Sequence, residues 1–178
     1  MRFSYYERLS AARQKIYRRS ESIVTLGLPP GLHLAGVVSR IESALRTDDR
    51  DALQRSCQDL VDALNAGYRV PPARVRILAR RPVEGDGELH GLYEPGEGRT
   101  LARITAWMRT AQRRQVVAFK TFLRTLIHEL CHHLDYELFA LEETFHTEGF
   151  YKRESSLVTA LLAQGNAAAA AGGDTGKG

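Results

Sequence analysis

Apolar residues along this chain recur with two different periods, and the change between them divides the sequence into a helical first third, a strand-rich middle and a helical end. From Tyr5 to Ser20, Gly31 to Leu45 and Asp51 to Ala66 they return every three or four residues, which predicts three amphipathic helices. The first is rich in arginine, and the last is stopped by Gly67 and Pro71-Pro72. Over Arg74 to Arg81 the step falls to two: Val75, Ile77 and Ala79 alternate with Arg74, Arg76 and Arg80, blurred by Leu78. Ala102 to Met108 alternates in the same way through Ile104, Ala106 and Met108. Between these strands Glu88 to Tyr93 can form another, bounded by the turn residues Glu84-Gly85-Asp86-Gly87 and Pro95-Gly96-Glu97-Gly98. Helical spacing returns over Val116 to Phe139, a run without Gly or Pro, and over Ser155 to Ala163. From Gly165 onward the alanine- and glycine-rich residues have little to bury, which predicts a disordered tail over 165–178 behind one domain over 1–164.

The long helical run carries the chemistry. Its apolar residues Phe119, Phe122, Leu123, Leu126, Ile127, Leu130 and Leu134 share one arc. His128 and His132, one turn apart, lie opposite that arc with Glu129, Thr121 and Asp135. Together they spell His128-Glu129-Leu130-Cys131-His132, an H-E-x-x-H motif that arises by chance in on the order of one such chain in a hundred. Two imidazoles on adjacent turns can hold one metal ion, and the glutamate beside them can take a proton from a water. His133 lies roughly 140° from His128 and cannot share that metal, so it reads as structural or exposed. Cys131, at the edge of the apolar arc, reads as a small buried thiol.

A catalytic zinc usually has three protein ligands and a water. The candidates for the third lie beyond the helix, at Glu142, Glu143, His146 and Glu148. His146 opens His146-Thr147-Glu148-Gly149-Phe150-Tyr151. H-E-x-x-H followed after a gap by H-x-x-x-F and another aromatic resembles the SprT-like and Wss1-like (WLM) zincin metallopeptidases. The resemblance runs from about Arg74 to Leu162 and is firm in the two motifs. It implies Zn2+ on His128, His132 and His146, with Glu129 as general base. It also implies an α+β, zincin-like fold: N-terminal helices, one packed across the back of a small mixed or mostly antiparallel sheet of three to four strands, the long H-E-x-x-H helix, and a short C-terminal helix. A cysteine-rich zinc ribbon, common in SprT-like proteins, is excluded, because the chain has two cysteines, Cys57 and Cys131. Glu142 or Glu143 stays open as the third ligand. Asp135 is a candidate to orient a ligand imidazole, and Tyr151 and Tyr93 are candidate hydroxyl donors to a transition-state oxyanion. The strand around Gly91-Leu92-Tyr93 is the expected substrate-facing edge, where a glycine permits close backbone approach. His90, on the same strand, is expected to be exposed.

Composition changes this picture in one respect. The start of the chain lacks the apolar core of a signal peptide, no stretch is apolar enough to span a membrane, and two separated cysteines make no disulfide framework, so the expected setting is a reducing cytoplasm. A net charge of +4 comes from arginines spread along the chain, among them Arg13, Arg18, Arg19, Arg74, Arg76, Arg80, Arg81, Arg113 and Arg114. A solvated basic surface accounts for them. Sequence-independent contact with DNA is the sharper alternative, and the resemblance raises it, because these families act on DNA-attached proteins. The expectation is therefore a zinc metallopeptidase acting on protein or peptide. Its rivals are a zinc-stabilised binding module without catalysis and a DNA-associated protease.

Overall fold

The computed structural model describes residues 3–84, 87–111 and 113–172. The helices are α1 (Ala11–Ser22), α2 (Ala35–Arg46), α3 (Arg50–Tyr68), α4 (Phe119–Glu137) and α5 (Glu148–Gly172). The strands are β1 (Ala73–Arg80), β2 (Val83–Glu84), β3 (Gly87–Glu88), β4 (Gly91–Glu94) and β5 (Ala102–Arg109). The fold is α+β, with a mixed three-stranded sheet ordered β1-β5-β4. β5 runs parallel to β1, with Val75 beside Ile104, and antiparallel to β4, with Tyr93 beside Ile104. Among the described residues no helix is long and apolar enough to cross a membrane.

Several boundaries move for local reasons. The first predicted helix is broken: Tyr6–Arg8 form a 3-10 turn, and α1 starts afresh at Ser10, whose hydroxyl accepts from the Arg13 N–H. The strand expected over Glu88 to Tyr93 is split, with Gly87–Glu88 pairing back on Val83–Glu84 and Gly91–Glu94 joining the main sheet. Gly85 and Asp86 of the predicted turn lie outside the described residues. The last helix corrects its prediction at both ends. It begins before Ser155 and runs to Gly172, past the expected boundary at 164, because the Ala167–Ala171 run has the highest helix propensity of any residue type. The rest of the predicted tail, 173–178, lies outside the described residues.

One face of the sheet is core. Ile104, Ala106 and Met108 of β5 meet Phe122, Leu123, Leu126, Ile127 and Leu130 of α4, all essentially inaccessible. Burying each of these side chains other than Ala106 contributes roughly 1.5–3 kcal/mol relative to exposure. The two long edges of the sheet are treated differently. Along β1, Gln58 donates to the Ala73 carbonyl and accepts from the Val75 N–H, while Gln54 donates to the Val75 carbonyl and accepts from the Ile77 N–H. Two side chains one turn apart on α3 thus stand in for a neighbouring strand. Beyond β4, among the described residues, no further strand pairs.

α1 sits apart from this core. Its Tyr17 joins Tyr6 and Phe145 in a small aromatic cluster of its own. Arg19 donates to the carbonyls of Phe139 and Ala140, and Arg13 binds Glu143 through Nε and Nη2 at 2.9 and 2.6 Å. The N-terminal helix is therefore fastened to the segment that links α4 to α5.

Candidate metal centre

α4 presents His128 and His132 on adjacent turns, and the α4–α5 connection folds back over them to bring His146 down beside both. The three Nε2 atoms form a near-equilateral triangle: 3.2 Å from His132 to His128, 3.0 Å from His128 to His146, and 3.1 Å from His146 to His132. His128, His132 and His146 are thereby placed closely enough to hold a metal ion.

The second nitrogens decide what the triangle offers. His132 Nδ1 lies 2.7 Å from Thr144 Oγ1, which lies 2.8 Å from Asp135 Oδ2. A hydroxyl has one proton, and a carboxylate can only accept it. Thr144 therefore donates to Asp135 and accepts from His132 Nδ1–H. His128 Nδ1, 2.8 Å from Glu154 Oε2, donates to that carboxylate in the same way. Both rings carry their proton on Nδ1 and turn a bare Nε2 lone pair inward. Burial, followed by the neighbouring imidazoles, holds the His132 pKa down at about 2, and burial also lowers that of His146. Converging lone pairs repel one another unless a cation lies among them. Ligand nitrogens of a tetrahedral zinc, at about 2.0–2.1 Å from the ion, stand about 3.3–3.4 Å apart. The observed edges fall within a few tenths of an ångström of that, so the donor set fits a zinc-type ion.

The support is buried and continuous. Asp135 is fully buried, and its other oxygen accepts from Arg153 Nη2 at 2.6 Å. Arg153, also fully buried, donates in addition to the carbonyls of Ser20 and Ile23 at the end of α1. Burial raises the Asp135 pKa, while Arg153 and the Thr144 hydroxyl oppose that rise. Phe150 forms the floor, its ring centroid 4.7 Å from that of His132, 5.0 Å from His128 and 5.3 Å from His146. This is the phenylalanine of the H-x-x-x-F motif, and its place explains the spacing: one turn into α5, it slides beneath all three imidazoles. α5 can start so close to α1 because residue 149 is glycine. A Cβ there would lie 2.4 Å from the Glu21 carbonyl oxygen.

Glu129 projects beside the triangle toward β4. A Cβ on Gly91 would lie 2.4 Å from Glu129 Oε1, so the glycine in this strand exists for the carboxylate that approaches it. Burial raises the Glu129 pKa to about 7, against the pull of His128. Histidines, glutamate and the β4 edge all line one cavity of about 720 Å³. Leu92, Tyr93, Pro95, Tyr136, Thr121, Arg124 and Thr125 are among its other lining residues.

The remaining expectations divide. Glu142 is exposed, Glu143 is bound by Arg13, and Cys131 is buried in the hydrophobic core, so His146 alone of these joins the triangle. Asp135 reaches the His132 imidazole through Thr144 and not directly. Tyr93 stacks on His132 at 6.3 Å, but its hydroxyl is bound to His133 Nδ1. His133 is structural, not exposed: 1% accessible, it also donates from Nε2 to the Pro71 carbonyl at 2.9 Å. Tyr151 is exposed and stacks on His146 at 5.9 Å. His90 is exposed at the cavity wall. Thr144, Arg153 and Glu154 escaped the sequence reading. Arg153 and Glu154 sit in the charged and polar run Lys152-Arg153-Glu154-Ser155-Ser156, which reads as an ordinary solvated segment. Comparison with known protein families, with curated proteins and with solved structures gives no match.

Proposed function

We propose that this protein is a zinc-dependent peptidase of the zincin type. The observation that carries the reading is the convergence of three Nε2 atoms within 3.0–3.2 Å, with a buried glutamate beside them and an open strand edge alongside. His128, His132 and His146 would hold a zinc ion, which would supply Lewis acidity toward a carbonyl and a water. The protein residues do the rest. Glu154 and Thr144 fix the imidazole tautomers, Thr144 being oriented by Asp135. Glu129 removes a proton from the attacking water and returns it to the leaving amine, a double task suited to a pKa near 7. The free edge of β4 pairs with substrate backbone in an extended conformation, Gly91 keeping the path to Glu129 clear. Tyr151, whose ring stacks on that of His146, is the tyrosine left to donate to the oxyanion, since the Tyr93 hydroxyl is engaged by His133. A purely structural zinc site would need a fourth protein ligand, and Glu142, Glu143 and Cys131 are all directed elsewhere.

Two measurements test this. Wild-type protein offered zinc should retain about one ion per chain, and His146→Ala should lose it. Glu129→Gln should keep the metal while peptide hydrolysis falls by about 10²–10⁴. Cleavage by Glu129→Gln at the wild-type rate would remove the base from the mechanism.

A second reading, recruitment to nucleic acid, is favoured by the outer face of the sheet, where Arg74, Arg76, Arg80 and Arg103 are all exposed. Phosphate contact there predicts single-stranded DNA binding that weakens as salt rises. Absence of binding at low salt would discard it.

A further inference from the structure

The cavity holds one strongly basic side chain among its described lining residues, and the chemistry above does not use it. Arg124 lies on α4 one turn before His128. Its Nη1 donates to Glu154 Oε1 at 2.7 Å and to Ser155 Oγ at 3.2 Å. Glu154 is itself 3% exposed and holds His128 with its other oxygen. The guanidinium is thus fixed at one corner by a buried anchor. Among the described residues its Nε and Nη2 meet no partner, and 52% of the side chain is open to solvent.

A planar edge of two parallel N–H donors is the shape that fits a carboxylate. The lining residues Thr121, Thr125, Leu92, Tyr93, Pro95 and Tyr136 are neutral, and of the two carboxylates in the lining Glu154 is the anchor of Arg124 and Glu129 lies by the histidines. Four residues along a helix is about 6 Å of rise, and helical side chains tilt toward the N-terminus. Consecutive substrate Cα atoms are about 3.8 Å apart. The free guanidinium edge therefore lies one or two residues from a carbonyl held at the histidines.

We propose that Arg124 sets the substrate preference of this site by binding a carboxylate through its Nε–Nη2 edge, one or two residues from the scissile bond. The carboxylate is either an acidic side chain or the end of the chain. This rests on reading the cavity as a peptide-binding site, and the test is arranged so that the two fail separately.

The probes are four peptides: a capped alanine pentapeptide with central Glu, the same with central Gln, and an uncapped alanine pentapeptide ending in a carboxylate or in an amide. Each is titrated by NMR into metal-free protein, where nothing is hydrolysed, as wild type, Arg124→Gln and Arg124→Lys. Wild type should bind at least one acid about tenfold more tightly than its amide partner. Arg124→Gln should bring that ratio to about one, and Arg124→Lys should keep a small part of it. Preference for Glu over Gln assigns the side chain, and preference for the free end over the amide assigns the terminus. An acid-to-amide ratio near one in wild type, a ratio preserved in Arg124→Gln, or no binding of any peptide overturns the proposal. Should Arg124→Gln fail to fold, Arg124→Lys and the wild-type ratio still decide. Zinc retention by wild type, measured separately, reports on the metal reading alone.

Discussion

The two sides of the histidine triangle are built in different ways. On one side, α4 delivers His128, Glu129 and His132 from five consecutive positions of a single rigid helix. On the other, His146, Thr144, Phe150 and Glu154 come from a loop and the start of α5, held by α1 from more than 120 residues away in sequence. The first side is set by backbone periodicity. The second is set by tertiary contact and inherits the stability of whatever holds it. Metal affinity should therefore respond to residues that never approach the metal.

The largest test breaks the tie between the sides. Asp135 belongs to α4 and Arg153 to α5, and both are fully buried. Replacing Asp135 by Ala leaves an unpaired buried guanidinium and should remove about 3–5 kcal/mol of stability, measured by chemical denaturation. The double change Asp135→Leu with Arg153→Leu should lose clearly less than the two single changes summed, and strict additivity would show that the pair does not act as a unit.

Next come the two partners that the second side supplies to the imidazoles of the first. Thr144→Val and Glu154→Gln should each weaken zinc binding about 10–100-fold in a chelator competition while leaving the fold intact. Equal affinity in wild type and Thr144→Val would discard the tautomer argument for His132. Gly91→Ala tests the strand side. The added methyl meets Glu129 Oε1, so hydrolysis should fall roughly tenfold through a displaced base, with zinc content unchanged. The smallest effect is expected far from the site. Arg19→Ala removes the donors to the Phe139 and Ala140 carbonyls and should cost about 1 kcal/mol, seen as a several-fold loss in zinc affinity. No change there would mean that the loop holds His146 without help from α1.

What the sequence made legible follows the same division. The three-residue heart of the motif, the helix beneath it and the alternating strands β1 and β5 could be read because each is a local pattern of period 3.6 or 2. His146 needed a resemblance, since a lone histidine in a loop carries no periodic signal. Glu154 and Thr144 could not be read at all. Their roles exist once α5 folds back across α4, and nothing near them in sequence marks them as partners of His128 and His132. His133 stayed open between structural and exposed for the same reason: the Pro71 carbonyl and Tyr93 hydroxyl that make it structural lie 62 and 40 residues away.

The glutamine pair on α3 has a consequence for how this protein behaves in a crowded solution. A sheet with two bare edges can polymerise, because each molecule offers its neighbours unpaired N–H and C=O groups on both sides. Gln54 and Gln58 cover one of those edges, so strands cannot add from both sides to propagate a chain. Self-association through the sheet is then limited to a closed pair, edge to edge across β4, which would block the cavity it borders. Replacing both glutamines by leucine should release that limit and produce open-ended, concentration-dependent aggregates.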